Sequence, residues 1–117
     1  MNIENFRDYC LAKKFVSEAF PFDETTLVLK VLNKIFALTD LEESFKITLK
    51  AKPEDIILLT EKFETISGAY HMNKKHWLTI EVDGSLPDEF IKKRIDDSYN
   101  SVVAGMPKKQ QKLINAQ

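Results

Sequence analysis

The chain has 117 residues, 44% of them hydrophobic and 30% charged, and a chain of this length can bury a core without disulfides or metals. Its 17 basic residues nearly balance its 18 acidic ones, so a net charge of −1 excludes a global field that would attract a polyanion. No apolar run approaches the roughly 20 residues that span a bilayer, and the first eight residues lack the basic and apolar regions of a secretory signal. We therefore expect one soluble, cytoplasmic domain over residues 1–117, with no membrane partner.

An amphipathic helix and a short edge strand are the first predicted elements. Asn2 can cap a helix that runs to about Lys14, and Cys10 falls on the apolar stripe of that helix. A buried, unreactive thiol is predicted, and a single cysteine fits a reducing compartment. Two aromatic residues around a proline, at 20–22, allow at most an edge strand, and both rings are expected to anchor to the core.

The centre of the chain predicts an antiparallel meander. Two β-forming runs flank only Asn33-Lys34, which is the pattern of a tight hairpin. Residues 45–50 then alternate apolar and polar, so a third strand is predicted with Lys46 and Lys50 on its outward face.

A second helix and a further strand come next. Pro53 and the two acids after it favour a helix start, and the apolar residues 56–59 predict that this helix is heavily buried against the sheet. Residues 77–82 alternate again and form the clearest strand of the second half.

A long third helix is predicted after the turn Asp83-Gly84. Ser85 is expected to cap it, with Asp88 in the capping-box position three residues on. Gly105 and the proline at 107 would end it. The remaining residues, 107–117, have little apolar content, so a frayed C-terminal tail is expected.

Residue chemistry gives no catalytic constellation. The two histidines, His71 and His76, flank a polar turn with no cysteine or carboxylate nearby, whereas zinc needs four ligands or three and a water. No dinucleotide-binding, P-loop, nucleophile-elbow or H-E-x-x-H string occurs. We therefore predict no enzyme, no cofactor and no metal; an enzyme would require acids from elsewhere in the chain to meet one of the histidines. The acidic clusters at 23–24, 40–43 and 96–97 are expected to be solvated.

The pattern that suggests a partner is basic and lies on predicted strands and turns. It comprises Lys30 and Lys34 in the first hairpin, Lys46 and Lys50 on the third strand, and Lys74, Lys75 and His76 in the second turn. Two basic β wings could straddle a phosphate backbone without reading sequence. The competing interpretation is that these lysines only blunt strand edges and keep the protein soluble. Trp77 could stack on a base or pack against apolar residues.

A longer string identifies a family resemblance. Residues 68–77, G-A-Y-H-M-N-K-K-H-W, resemble the G-Y-H-M-N-K-K-H-W signature of the MmcQ/YjbR family. Residues 20–23 (F-P-F-D) and 83–88 (D-G-S-L-P-D) resemble two further segments of that family, so the resemblance covers nearly the whole chain. The departures are the alanine at 69 and an acidic loop after Asp40 that lacks the prolines frequent in the family.

The resemblance implies an α+β fold of the CyaY-like, double-wing type, an antiparallel meander sheet with helices packed on it, and double-stranded DNA as the partner. By matching positions it assigns DNA contacts to Lys34 in the first turn, to Asn73, Lys74, Lys75 and His76 in the second, and to Lys46 and Lys50 as backbone-charge partners. Tyr70, His71 and Trp77 would hold the second wing in shape. The acidic ridge that iron binding would need is sparse, with only Glu4, Asp8 and Glu18.

The leading alternative to DNA binding is a protein-interaction or small-ligand-binding module. In that reading the signature would form a pocket near Trp77 instead of a wing tip. The salt dependence of the affinity distinguishes the two functions, because binding to a phosphate backbone weakens steeply with ionic strength and binding of a ligand in a pocket does not.

Overall fold

The computed structural model describes residues 1–69 and 72–116; Tyr70 and His71, predicted to shape the second wing, lie outside the described residues, as does Gln117. The predicted α+β class is confirmed. In chain order the elements are α1 (Ile3–Leu11), β1 (Val16–Ala19), β2 (Thr26–Val31), β3 (Lys34–Asp40), β4 (Lys46–Lys50), α2 (Pro53–Lys62), β5 (Ile66–Gly68), β6 (Trp77–Glu81), α3 (Asp88–Ala104) and α4 (Lys108–Asn115). None of the described helices is long and apolar enough to cross a membrane.

The six strands form one antiparallel sheet in the order β1-β2-β3-β4-β6-β5. Strands β1 to β4 are a meander, as the sequence predicted. The chain then passes through α2 to the edge strand β5 and returns between β5 and β4 as β6. In this arrangement Lys50 pairs with Trp77, and Lys46 pairs with Glu81.

One face of the sheet carries the main core, because α1 and α3 pack against it. Alternation along the strands brings Leu29, Leu49 and Ile80 to this face, and each is at most 1% exposed. From α1, Phe6 and Cys10 are fully buried in the same cluster. Burial raises the pKa of the Cys10 thiol to about 12, so the predicted buried thiol is confirmed.

A β-bulge and one serine join the sheet to α3. The register between β2 and β3 shifts beside Leu29 and Lys30, which leaves Phe36 as an extra residue on β3. The Ser98 hydroxyl, fully buried on α3, donates to the Phe36 carbonyl at 2.5 Å and accepts from the Lys50 backbone N–H at 2.9 Å. Ser98 thereby satisfies two backbone groups that the shortened pairing between β3 and β4 leaves without a strand partner.

Of the two predicted N-terminal helix caps, one is wrong and one is confirmed. Helix α3 begins at Asp88 with Pro87 as its N-cap and has no side-chain cap, so the predicted Ser85 cap is wrong. The Ser85 N–H instead donates to the Asp83 carboxylate, which forms a local turn two residues before the helix. The cap that Asn2 was predicted to supply is confirmed, since its side chain accepts from the Asn5 N–H.

The predicted frayed tail is also wrong, because α4 forms there. Ile114 on α4 is only 4% exposed and joins the core cluster. The Gln111 amide donates to the carbonyls of Ala104 and Met106. Ala104 is the last residue of α3 and Met106 follows its C-cap, where helical partners run out, so one polar side chain fastens the tail to the end of α3.

Apolar residues outside the sheet are less buried than the sequence suggested. Phe20 and Phe22 are 47% and 62% exposed, because β1 ends at Ala19 and the chain leaves the sheet before either ring reaches the core. In α2 only Ile56 is fully buried, and Ile57 and Leu58 are 58% and 63% exposed. This helix rests on the edge strand β5 and does not lie across the middle of the sheet.

Candidate nucleic-acid interface and the acidic groove

The sheet topology brings the two predicted wings to the same end of the sheet. The β2–β3 turn lies at the end of the sheet where β4 finishes, and β6 starts there because Trp77 pairs with Lys50. The turn at 73–76 leads directly into β6 and therefore lies at that end too. We call this region the basic end; it contains Lys34, Lys50, Asn73, Lys74, Lys75 and His76.

The first wing is a two-residue hairpin shifted by one position from its predicted place. Leu32 and Asn33 form the turn, with φ angles of 44° and 74°, and Lys34 already pairs with Val31 as the first residue of β3. Positive φ at both central residues defines a type I′ turn, which suits the twist of a hairpin. Phe15, at φ 61°, accepts a hydrogen bond from the Leu32 N–H, so three left-handed non-glycine residues meet here.

The second wing is a compact turn organised by Asn73. Its side-chain oxygen accepts from the Lys75 N–H, and its backbone carbonyl accepts from the N–H groups of His76 and Trp77. The His76 carbonyl accepts from the Ala51 N–H, which ties the turn to the connection between β4 and α2. The side-chain oxygen of Asn73 is therefore occupied in shaping the turn.

Lys74 lies against β5 with its aliphatic stem. A methyl group built on Gly68 would lie 3.4 to 3.7 Å from the first three side-chain carbons of Lys74. The glycine thus permits this close approach, and packing of the stem restricts where the ammonium group can reach. Lys34, Lys75 and His76 are exposed, whereas Lys50 and Trp77 are half-buried.

The lysines of the basic end have no ion-pair partner among the residues that the structure describes. Within residues 1–69 and 72–116, no ion pair joins Lys34, Lys50, Lys74 or Lys75 to a carboxylate. The ion pairs that are found lie among the N-terminus, α1, the α1–β1 connection, β1 and α3, as in the bidentate contact of Arg7 with Glu18. The ammonium groups of the basic end therefore remain available to an external anion.

Lys46 is not part of the basic end. It begins β4, four residues before Lys50, which places it about 13 Å along the strand. There it pairs with Glu81 on a face that no helix covers, here called the open face. Of the seven residues predicted to contact DNA, the structure brings six together and separates Lys46 from them.

A groove of about 860 Å³ runs over the open face around Lys46, here called the acidic groove. Its floor is a row of residues across four neighbouring strands, in which the Thr48 and Thr79 hydroxyls hydrogen-bond to each other at 3.0 Å. Leu38 continues the row on β3 and Ser67 on β5. The charged lining residues are Asp23, Asp40, Glu43, Lys46, Glu64 and Glu81.

Asp23 forms one wall of the groove through a local turn. Its carboxylate accepts from the backbone N–H groups of Thr26 and Thr25 and from the Thr26 hydroxyl. The bond from the Thr26 N–H contributes most, and together these bonds lower the pKa of Asp23 below its usual range. Asp23 therefore stays ionised to more acidic pH than an ordinary aspartate.

The sequence reading missed the acidic groove because its acids come from separate segments. The sequence predicts that the acids at 23–24 and 40–43 are separate solvated clusters, and it gives no local signal at Glu64 or Glu81. The strand order reveals the groove, because the pairing of β4 with β6 places Glu81 across from Lys46. β5 lies between β4 and β6 in the sequence, so local alternation does not predict that they pair.

The fold and these two surfaces define a small α+β protein with a six-stranded antiparallel sheet, helices on one face and an open face on the other. Residues 11–101 match the family model described as YjbR. The chain belongs to the YjbR family, which confirms the resemblance seen in the sequence.

Relatives in Escherichia coli cover almost the whole chain. The K12 protein named "Uncharacterized protein YjbR" is 33% identical over 115 residues, which are 97% of this chain and 98% of that protein. The O157:H7 protein named "Uncharacterized protein YbdF" is 33% identical over 112 residues, 95% of this chain and 92% of that protein.

Two solved structures share the fold. The crystal structure of Deinococcus radiodurans protein DR2400, a DUF419 domain, matches with a TM-score of 0.88 and 35% identity, covering 97% of this chain and 88% of that one. A crystal structure from Pseudomonas syringae, target PsR293, matches with a TM-score of 0.75 and 29% identity, covering 86% of this chain and 98% of that one.

Proposed function

We propose that the basic end binds the phosphate backbone of double-stranded DNA without reading base sequence. The observation that carries the proposal is the convergence of both wings at one end of the sheet, with lysines that form no ion pair with a carboxylate in the described part of the chain. Backbone binding needs only ammonium groups and amide donors placed on a rigid support, and the sheet supplies that support.

The spacing of the wings suits two strands of a duplex. Strand β3 carries Lys34 and strand β6 follows the second wing, and the two are separated by β4 alone. Neighbouring strands are about 4.8 Å apart, so the wings are separated by about 10 Å. This separation lets Lys34 and Lys75 approach phosphates on opposite sides of a minor groove about 6 Å wide. Lys50, between the wings, would add charge at the centre.

Lys46 has no place in this proposal. Its position in the acidic groove puts Asp40 and Glu81 near any approaching phosphate, and like-charge repulsion opposes binding there. The proposal therefore makes Lys74 and Lys75 the main contacts of the second wing and treats Lys46 as a negative control.

The test is a titration with a short mixed-sequence duplex at several salt concentrations, followed by fluorescence anisotropy of the DNA. If four lysines contact phosphates, log affinity should fall with log salt at a slope of about −3 to −4. Lys75→Gln should reduce the magnitude of that slope by about one. Lys46→Gln makes the same charge change at the other end of the sheet and should leave both slope and affinity unchanged.

Amide NMR shifts supply the location. The expected shifts fall on residues 32–34, 50 and 73–76 and weaken as salt rises. Absence of binding at low salt, or equal losses for Lys75→Gln and Lys46→Gln, would contradict the proposal.

The small-ligand alternative also has an observation in its favour. The acidic groove lies on the face that carries Trp77, and it begins at Thr79, two residues along β6. Trp77 is not among the residues described as lining that groove, so a ligand there would rest on the neighbouring strands and loops. Binding in the groove would shift the amide NMR signals of Thr48 and Thr79 and leave those of the wings unchanged.

A further inference from the structure

The acidic groove has a strong excess of negative charge that the basic end does not compensate. Five carboxylates and one ammonium group line it, which gives a formal charge of −4 over the described lining. Concentrated single-sign charge in a concave surface attracts ligands of the opposite sign. The charge complement of this groove is a cation.

Three of these carboxylates have no partner among residues 1–69 and 72–116. The side-chain carboxylates of Glu43, Glu64 and Glu81 accept no hydrogen bond and form no ion pair in the described part of the chain. Acids elsewhere are engaged, since Glu18 holds Arg7 and Asp96 accepts from both Lys13 and Tyr9. The groove thus offers carboxylates whose interactions are left for solvent or for a ligand.

A single metal ion does not fit this arrangement. Within the described residues, no group of three or more histidine, cysteine or acidic side chains is close enough to hold a metal. The carboxylates are instead distributed around a groove whose volume, about 860 Å³, is in the range of small-molecule sites. Distributed charge calls for a cation whose positive centres are separated.

The floor between the carboxylates has an apolar component. Leu38 and Met72 line it, Phe22 stands exposed at its margin, and the Thr48 and Thr79 hydroxyls share a hydrogen bond. Methylene groups that lie on Leu38 and Met72 would leave that hydrogen bond intact. We propose that the acidic groove binds a linear aliphatic polyamine, with ammonium groups at the carboxylates and methylenes along the floor.

Spermidine is the probe for this site, titrated into the full chain without DNA and followed by amide and methyl NMR. Shifts should fall on Leu38, Thr48, Met72 and Thr79 and leave the basic end unchanged. Butylamine, with one ammonium group, should bind much more weakly, because it can engage only one part of the charge. MgCl₂ at equal charge should not reproduce the methyl shifts.

The variants test the unpartnered carboxylates directly. Glu64→Gln with Glu81→Gln removes two charges and should weaken spermidine binding about tenfold. Glu61→Gln with Glu54→Gln makes the same charge change on α2, outside the groove, and should change binding little. Lys46→Gln removes the only cation described in the lining and should strengthen binding.

Three outcomes would overturn the proposal. They are equal binding of Mg²⁺ and spermidine at the same residues, wild-type affinity in Glu64→Gln with Glu81→Gln, or unchanged affinity in Lys46→Gln. The amide spectrum of each free variant shows whether it remains folded, and Lys46→Gln tests the site by a gain that misfolding cannot mimic. Because no DNA is present, these results stand apart from the fate of the DNA proposal.

Discussion

The basic end and the acidic groove belong to the same sheet, yet they are built in different ways. The basic end is made by two local turns whose sequences carry their own lysines. The acidic groove is assembled from four segments distant in the chain, with Asp23, Asp40, Glu64 and Glu81 as its main acids. A net charge of −1 therefore conceals a separation of charge along one strand, from Lys46 among acids to Lys50 among lysines. Charge balance in a sequence says little about local fields.

The two regions also differ in backbone strain. Phe15, Leu32 and Asn33, the non-glycine residues with positive φ in the described chain, all lie at the basic end. None of the described residues that line the acidic groove has a positive φ. Strain of this kind persists only where surrounding contacts impose it, so the first wing is held by the sheet and by Phe15. The following variants test the contrast between the two regions.

The largest effect is expected for Ser98→Ala, which affects the basic end. The change leaves the Phe36 carbonyl and the Lys50 N–H unsatisfied in a buried place, at a cost of about 2–3 kcal/mol in the free energy of unfolding. Urea denaturation measures the loss, with Ser101→Ala on the same helix as the control. Hydrogen exchange should accelerate more at Lys50 than at Thr79. Equal acceleration of hydrogen exchange at Lys50 and at Thr79 would contradict a specific role of Ser98 at the basic end.

Asn33→Ala should cost about 1 kcal/mol, because alanine is poorly suited to the left-handed region that asparagine tolerates. Asn33→Gly is the matched variant and should be nearly neutral or slightly stabilising. Urea midpoints compare the two. Equal destabilisation by both variants would show that the asparagine side chain matters more than its backbone conformation.

Thr79→Val should cost about 1 kcal/mol or less, because the Thr48 hydroxyl on the groove floor loses its partner. Thr48→Val added to Thr79→Val should recover most of that loss, since neither strand then carries an unpaired hydroxyl. The double-mutant cycle gives the coupling energy from urea unfolding. Additive losses would mean that water already satisfies each hydroxyl at the groove floor.

The smallest effect concerns pH at the groove wall. Hydrogen bonds lower the pKa of Asp23 in the folded state, so its contribution to stability is complete above its unfolded pKa of about 3.9. That contribution is lost as pH falls further, through the lower folded pKa. The urea midpoints of wild type and Asp23→Asn should therefore differ at neutral pH and converge below about pH 4. A constant difference between wild type and Asp23→Asn down to pH 2 would contradict this reading.

Local sequence patterns predicted the helices and strands better than the tertiary contacts between them. Asn2 capping α1, the tight hairpin, and α2 starting at Pro53 all depend on neighbouring residues, so sequence patterns reveal them. The hairpin turn was misplaced by one residue because leucine at 32 is an unusual choice for positive φ. α4 was missed because its stability comes from one buried isoleucine and from Gln111 bonding to the end of α3.

The candidate sites divide in the same way. Six of the predicted DNA residues meet because both turns adjoin strands that end on the same side. Lys46 was grouped with Lys50 by strand alternation, which gives the face of a residue but not its distance along the strand. The acidic groove required the pairing of β4 with β6, a contact between residues about 30 positions apart, and no local pattern encodes it.

Cys10 gives this protein an internal probe for all these experiments. It is the chain's single cysteine, fully buried on the inner face of α1, and burial raises the pKa of its thiol to about 12. At neutral pH a thiol reagent can modify it only in molecules whose core has opened. The labelling rate therefore reports how often any variant, at either end of the sheet, exposes its interior, without the need for an added fluorophore.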